Sequence, residues 1–394
     1  MSNQFEIHLA PREECTGCAA CASACPKGCI SMEADGEGFS RPAVREGCTG
    51  CGACRAACPV FAAVQPPKEP AVFAAWNKDR AVRRRSASGG VFPILAEDVL
   101  ARGGAVYGAA FDGTFRLVHI CVTSPGELSR LQGAKYVQSD LSGVYPKVRS
   151  QLKQGRTVLF SGTPCQVAGL YQYLKEPYDT LITCDLVCHG VPSPEVWKRY
   201  KEELERGKGP LQSVSFRDKR DGWSRARFLA EYEDQSADSA PLAKTPYGRG
   251  FGMALFLRPS CYRCRYAAPG RRADFTLGDF WGVDRKALPR DVSPEEGISL
   301  ALLHSRKSRT LFEAQKDKCG FVKRPFSEAA AGNPRLLRPV EQPKDREAFF
   351  RDFEALPWEE VRKKWLSIPS LPYRAAAKIL SPGLKRKLRG ILGK

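Results

Sequence analysis

Two stretches of the chain carry the same cysteine pattern. Cys15-Thr-Gly-Cys18-Ala-Ala-Cys21-Ala-Ser-Ala-Cys25-Pro26 is matched by Cys48-Thr-Gly-Cys51-Gly-Ala-Cys54-Arg-Ala-Ala-Cys58-Pro59. The spacing is C-x2-C-x2-C-x3-C-P twice over. Three close thiolates from a tight loop can reach three irons of one 4Fe–4S cube, and the fourth, on the helix that follows, reaches the other cube. The pattern therefore assigns Cys15, Cys18, Cys21 and Cys58 to one cluster and Cys48, Cys51, Cys54 and Cys25 to a second. Gly17, Ala19, Ala20, Gly50, Gly52 and Ala53 are small enough to let backbone N–H groups approach the sulfurs. Zinc in a four-cysteine site is the rival chemistry, and zinc sites lack this doubled exchange of ligands. Cys29 stands outside the pattern as a bystander. The duplication implies two related halves about a pseudo-twofold axis.

Further cysteines follow. Cys165 opens a helix, where the N-terminal dipole favours a thiolate. Cys188 ends a strand just before His189 and Gly190, and Cys261 and Cys264 form a C-x2-C pair. Four cysteines on three segments could enclose a third cluster. Cys184, on the same strand face as Cys188, competes for a place in it. Cys188 is preferred because ligands meet at strand ends in open α/β sheets. The plainer reading makes Cys165 and Cys188 small buried hydrophobes and gives the C-x2-C pair zinc or nothing. Ser88, Gly89 and Gly90 open another helix, and a glycine-rich helix start offers free N–H groups to a phosphate. Paired glycines are also ordinary turn residues. His189 is a candidate proton shuttle, against the simpler role of a hydrogen bond to a loop carbonyl.

The elements that must position these groups alternate. AVFAAW (71–76) and AVYGAAF (105–111) read as strands, with a helix over VFPILAEDVLAR between them. Pro93 is tolerated there because it lies in the first helical turn. TVLFSG (157–162) is a strand, Thr163 an N-cap and Pro164 the first helical residue. TLITCDLVC (180–188) is a further buried strand. Strands alternating with helices predict an α/β domain with a mixed or mostly parallel sheet. It follows a small α+β domain that holds the cysteine repeat. Residues 202–243 read as strands and loops, and the chain beyond Glu328 as mainly helical. The divisions are 1–64 for the two-cluster domain, 65–70 (QPPKEP) for a linker, 71–332 for the larger domain and 333–394 for a helical extension. The tail 371–394 has seven Lys or Arg and no acid, with Leu384, Leu388, Ile391 and Leu392 on one helical face. It is read as a surface helix, with weak membrane-surface contact as the alternative.

Sixteen cysteines in 394 residues suit metal or redox chemistry better than disulfides. No apolar run reaches the length of a membrane span, and no secretory signal opens the chain, so a cytoplasmic location is expected. The net charge of +19 suits an acidic electron carrier as partner. Nucleic acid is not expected, since no recognition motif is present.

Residues 11–62 resemble bacterial two-cluster ferredoxins, which implies one-electron transfer. SASGGVFPILAEDVL (86–100), GAKYVQSD (133–140), LFSGTPCQVAGL (159–170), DLVCHGVPSP (185–194), and RPSCYRCRYA with ADFTLGDFWG (258–282) resemble the coenzyme F-420 hydrogenase/dehydrogenase beta-subunit family over 71–330. That resemblance implies a bound flavin, FAD rather than FMN, beside a 4Fe–4S cluster. It makes Cys165, Cys188, Cys261 and Cys264 the ligands, since the family often has an apolar residue where Cys184 stands. It places Ser88, Gly89, Gly90, Lys135, Tyr136, Gln138 and Ser139 near the flavin, and Asp274 and Asp279 near cluster and cofactor. The expected function is an iron–sulfur flavoprotein oxidoreductase. It would pass electrons from a low-potential donor such as ferredoxin through 4Fe–4S clusters to FAD and on to a small acceptor, in either direction. The alternative is the beta subunit of a larger hydrogenase or dehydrogenase complex, with coenzyme F-420 among the possible acceptors.

Overall fold

A computed structural model describes residues 9–63 and 69–367. Most of the linker, and the basic helix read in 371–394, lie outside the described residues.

The N-terminal segment is built as its repeat suggests. Gly17 and Gly50 both take φ of 66°, and Ala19 and Gly52 both cap their helices in the left-handed region, at φ 61° and 73°. The short helices Ala20–Ala24 and Ala53–Ala56 follow. Between the two motifs, β1 (Ile30–Ala34) and β2 (Ser40–Val44) pair antiparallel. That Ala19 holds a conformation costly for any residue with a Cβ shows how strongly the cysteine loop dictates the backbone.

The remaining strands are β3 (Ala71–Asn77), β4 (Ala105–Phe111), β5 (Leu117–Val122), β6 (Val158–Gly162), β7 (Leu181–Leu186), β8 (Leu211–Asp218), β9 (Arg227–Tyr232), β10 (Ala237–Pro241), β11 (Phe275–Asp279), β12 (Ser299–Leu303) and β13 (Cys319–Lys323). Eight of them form one sheet in the order β13-β3-β12-β11-β7-β6-β4-β5. Its middle, β11-β7-β6-β4, is parallel, and the flanking pairs on both sides are antiparallel. The sheet is thus mixed. The central strands are buried along most of their length, as strands covered on both faces must be.

The helix Val91–Ala101 covers one face with Ile94, Leu95 and Val99. The helices Val144–Lys153 and Pro164–Leu174 cover the other, and Cys18, Ala19 and Ala20 of the N-terminal segment join that same apolar cluster. The cysteine-rich segment is therefore packed onto the sheet's helical layer. At Thr163 the chain leaves β6; its N–H donates to Gln166 Oε1 at 2.8 Å, and Pro164 takes the first helical position. The strand read to Cys188 ends at Leu186, which leaves Cys188 in the loop just beyond. Residues 202–243 hold strands and loops as expected, apart from the end of a helix at Glu205. The helix Pro194–Glu205, started by Ser193 and Pro194, precedes a three-stranded antiparallel sheet β10-β9-β8. An aromatic core of Phe216, Phe228, Trp197, Tyr247 and Phe349 joins this sheet to the helix Arg346–Ala355.

Among the described residues no helix is long and apolar enough to cross a membrane.

Candidate functional site

The twelve cysteines singled out by spacing fall into three groups. Cys21 lies within electrostatic reach of Cys18, Cys15 and Cys58. Cys54 lies near Cys25 and Cys48, and these three share one hollow with Cys51. Cys165 faces Cys264 and Cys188, while Cys261 faces Cys264 and Cys165. Across the two motifs, Cys58 sits with the first set of cysteines and Cys25 with the second. Cys184 does not join the third group. It is fully buried in the apolar core, with Asp185 and Ser161 as its polar neighbours. Cys29 is no remote bystander: it lines the second hollow, and its N–H donates to Cys25 Sγ at 3.3 Å.

Backbone donors converge on the sulfurs. Gly50 N donates to Cys48 Sγ at 3.5 Å and Val191 N to Cys261 Sγ at 3.4 Å. Cys25, Cys58 and Cys264 also accept from backbone N–H groups just beyond them. Such donors favour a charged sulfur. Burial opposes them. It pushes the Cys18 thiol up to about 11, and Cys188 and Cys261 to about 12, and it raises Cys165 further. At Cys165 burial works against the helix dipole that favours a thiolate. Only bound metal would keep these sulfurs ionised. Among the described residues no three His, Cys, Asp or Glu side chains close on a single metal ion.

The first and third groups adjoin. Cys18 is among the neighbours of Cys165, and a Cβ on Gly169 would stand 2.9 Å from Cys18 Sγ and from Tyr145 Oη. Tyr266, two residues past Cys264, lies close to both Cys165 and Cys18, and its hydroxyl is buried without a hydrogen-bond partner among the described residues. Arg258, fully buried, ties the loop of Cys261 to the first motif. Its Nε donates to Cys15 O at 2.7 Å, its Nη1 to Gln138 Oε1 at 3.0 Å, and its Nη2 reaches Cys15 Sγ at 3.5 Å.

The residues expected near a flavin divide. Ser88 Oγ donates to Ile298 O at 3.0 Å and Gly278 O at 3.2 Å, and Gly89 N donates to Ser299 Oγ at 2.9 Å. Gly90 caps the helix in the left-handed region with no side-chain acceptor on the first N–H groups. Lys219 Nζ donates to the carbonyls of Ser88, Arg83 and Glu296, and burial pulls it down to about 7. From there the contacts continue. Asp279 meets Arg217 at 2.9 Å and accepts from Trp223 Nε1 at 2.7 Å. Trp223 stacks on Trp281 at 4.4 Å. Arg217 also bonds Tyr136, whose ring stacks on Phe251 at 4.6 Å. His189 packs edge-on against Phe251, hydrogen-bonds its backbone and feels the charge of Arg335. Burial lowers its pKa. Arg217 Nε and Nη2, His189 Nε2 and Arg335 Nη1 are buried with no partner among the described residues. Such atoms are rare in folded proteins and call for a partner from water, an ion or a ligand.

Three of the expected residues serve other neighbours. Lys135 Nζ donates to Gln132 O at 2.7 Å, Gln138 Nε2 to Thr16 O at 3.3 Å, and Ser139 Oγ accepts from Gln166 at 2.9 Å. Asp274 Oδ2 accepts from Thr183 N and Oγ1, both at 3.0 Å, as a tie between β11 and β7. Arg217, Trp223, Arg258 and Tyr266 were not anticipated. Arg258 and Tyr266 flank the C-x2-C pair, and that adjacency was the available signal.

A mixed α/β fold that gathers cysteines in three groups defines an iron–sulfur protein. The comparisons with known proteins say what it is similar to. Residues 14–62 match the 4Fe-4S dicluster domain, and residues 155–327 match the carboxy-terminal region of the beta subunit of coenzyme F420 hydrogenase/dehydrogenase. The recognition drawn from the motifs, a resemblance to that beta subunit with a two-cluster segment before it, is borne out. A chain of the F420-reducing nickel–iron hydrogenase complex from Methanosarcina barkeri is similar in structure, with 15% identity, 68% of this chain and 88% of that chain covered, and a TM-score of 0.45. No curated protein matches.

Proposed function

We propose that the chain is an iron–sulfur flavoprotein oxidoreductase with three 4Fe–4S clusters and one FAD, moving electrons between a low-potential donor such as ferredoxin and a small acceptor. Clusters carry single electrons, and a flavin stores two and can deliver them as hydride. The observation that carries the reading is the adjacency of cysteine groups, with Cys18 of the first beside Cys165 of the third. The residues divide the work. Cys15, Cys18, Cys21 and Cys58 would hold one cluster, Cys25, Cys48, Cys51 and Cys54 another, and Cys165, Cys188, Cys261 and Cys264 the third. Cys51 is the exposed member and marks the side where a donor would approach. The buried unpartnered atoms of Arg217, Arg335 and His189 suit the polar edge and phosphates of a flavin, with Tyr136, Phe251 and the Trp223–Trp281 pair as apolar walls. The unpartnered Nε2 makes His189 able to exchange a proton there.

Charge qualifies the choice of donor. Residues 1–63 hold five Lys or Arg against seven Asp or Glu, a net −2, so the rest of the chain carries +21. Attraction of an acidic carrier would come from the larger domain. A second reading, the beta subunit of a larger complex, is favoured by the description of the matched family. Co-purification with a hydrogenase or dehydrogenase subunit would select it.

The test is anaerobic purification with iron, sulfide and flavin measured per chain. Three clusters and one FAD are expected. Zinc in place of iron, or fewer than two clusters, overturns the reading. Full iron without flavin overturns its flavin half alone.

A further inference from the structure

Arg258 stands between two of the cysteine groups. Its backbone belongs to the turn of the third: Arg258 N donates to Val191 O at 3.0 Å, and Cys261 N donates to Arg258 O at 2.9 Å. Its side chain runs the other way, into the first motif. There Nη2 reaches Cys15 Sγ at 3.5 Å and Nε holds Cys15 O at 2.7 Å. The residue has no exposed surface, and the Phe39 ring lies 5.5 Å from its guanidinium. Nη1 meets the neutral amide oxygen of Gln138 at 3.0 Å. Among the described residues no carboxylate pairs with it; the charges and thiols that act on it are Cys15, Cys261 and Arg41.

Other cations near the sulfurs are placed differently. Arg41 is paired with Asp35 at 2.6 Å. Arg271, beside Cys188 and Cys264, is paired with Asp185 at 3.5 Å. Lys27, at the second group, is exposed, and water screens its charge. Arg258 differs from all three in being enclosed and uncompensated. A buried guanidinium without a counter-charge is strongly unfavourable. A 4Fe–4S cube held by four thiolates is an anion in both of its oxidation states, and the reduced form carries more negative charge. Arg258 therefore fits an anion on each side, at Cys15 and at Cys261. The benefit is mutual. Burial removes the water that would stabilise an added electron, and a fixed cation next to a ligand sulfur takes its place.

We infer that Arg258 is the shared counter-charge of the first and third clusters and raises the potential of both. Electrons that arrive at the exposed second group are thereby drawn inward. One electron passes at a time, the giving cluster is oxidised as the receiving one is reduced, and no bond or proton moves. The inference rests on the three-cluster reading above and is independent of flavin.

The experiment is a redox titration of the anaerobically purified full chain, followed by electron paramagnetic resonance, with iron and sulfide counted on every sample. Arg258→Gln should keep full iron and lower the midpoint potentials of two clusters, each by at least about tenfold in the reduction equilibrium, or about 59 mV for one electron. The remaining cluster should not move. Arg258→Lys loses the forked hydrogen bonds but keeps the charge, and should restore most of the shift. If Arg258→Gln loses iron, Gln138→Glu decides. It leaves Arg258 in place, sets a carboxylate beside Nη1, and should lower the same two potentials. Unmoved potentials at full iron overturn the inference. So does an equal fall in all three, which would report a general change of structure. A fall in Arg258→Lys as large as in Arg258→Gln also overturns it, in favour of lost hydrogen bonds. Fewer than three clusters in the unmutated protein defeats the cluster reading itself, and this inference with it, before any variant is made.

Discussion

A thiol that is buried among other thiols resists ionisation, and this separates ligands from bystanders at the level of single residues. Cys188 and Cys184 are four positions apart, yet only Cys188 faces other ligand candidates. Cys188→Ala should remove one cluster's share of iron. Cys184→Ala should leave iron unchanged and cost about 1 kcal/mol through the small cavity in the core. Iron analysis and a urea midpoint on both variants decide the matter; equal iron loss would return Cys184 to the ligand set. Tyr266 makes a finer test. Its buried hydroxyl stands among Cys165, Cys18 and Cys264 with no acceptor among the described residues, and hydrogen bonds to cluster sulfurs help set their potential. Tyr266→Phe should keep full iron and lower the midpoint potential of one cluster, read by a redox titration followed by electron paramagnetic resonance. An unmoved potential would make Tyr266 a packing residue only.

Elements position these residues, and their reach can be tested by crowding one of them. The helix Pro164–Leu174 admits Cys18 at Gly169, where any side chain would meet Cys18 Sγ and Tyr145 Oη at 2.9 Å. Gly169→Val should displace the first cysteine loop and lose the cluster of Cys15, Cys18, Cys21 and Cys58 while the other iron stays. Loss of all iron would point to general misfolding instead. The strand β5 carries a pH effect. His119 lies flat on Phe160 at 5.5 Å, its Nε2 is 3.0 Å from Ser161 O, and burial drops its pKa from 6.5 to about 4. The unfolded chain therefore binds more protons between those values. The stability from His119 is full above 6.5 and is lost as pH falls toward 4. His119→Gln should flatten the fall of the urea midpoint between pH 6.5 and 5; an unchanged slope would assign the acid sensitivity to other groups. At this scale the sequence was informative where its signals are local. The apolar runs at 71–76, 105–111 and 157–162 and the Thr163–Pro164 start are legible because burial and capping act within a few residues. The Ser193–Pro194 start was equally legible and went unread. The run of contacts through Arg217, Trp223, Tyr136, Phe251 and His189 was not legible. It is assembled from five separate segments by tertiary packing, and charged residues on β8 and just beyond read as surface until a partner is seen.

Across the whole molecule, three arginines fasten the N-terminal segment to the rest, Arg265 through the carbonyl of Pro59 at 3.1 Å and two that are fully or nearly fully buried. Arg258 spans Cys15 and Gln138, and Arg346 grips Glu37 through both of its carboxylate oxygens at 3.0 and 2.6 Å while donating to Leu257 O. Arg258→Met would leave Cys15 O and Gln138 Oε1 buried without their donor, at a cost of about 2 kcal/mol or more. Faster proteolysis near residue 63, with the core resistant, is the expected sign that docking rather than the larger domain has loosened; uniform proteolysis would contradict it. The thiol groups also run from outside to inside, with Cys51 exposed at one end and Cys18 and Cys165 enclosed. Oxygen entering from solvent meets the outermost sulfurs well before the enclosed ones. Brief exposure to air should then bleach the brown colour in two stages, the rim decaying in advance of the interior, so that preparations of different age would contain unlike amounts of iron in otherwise identical chains.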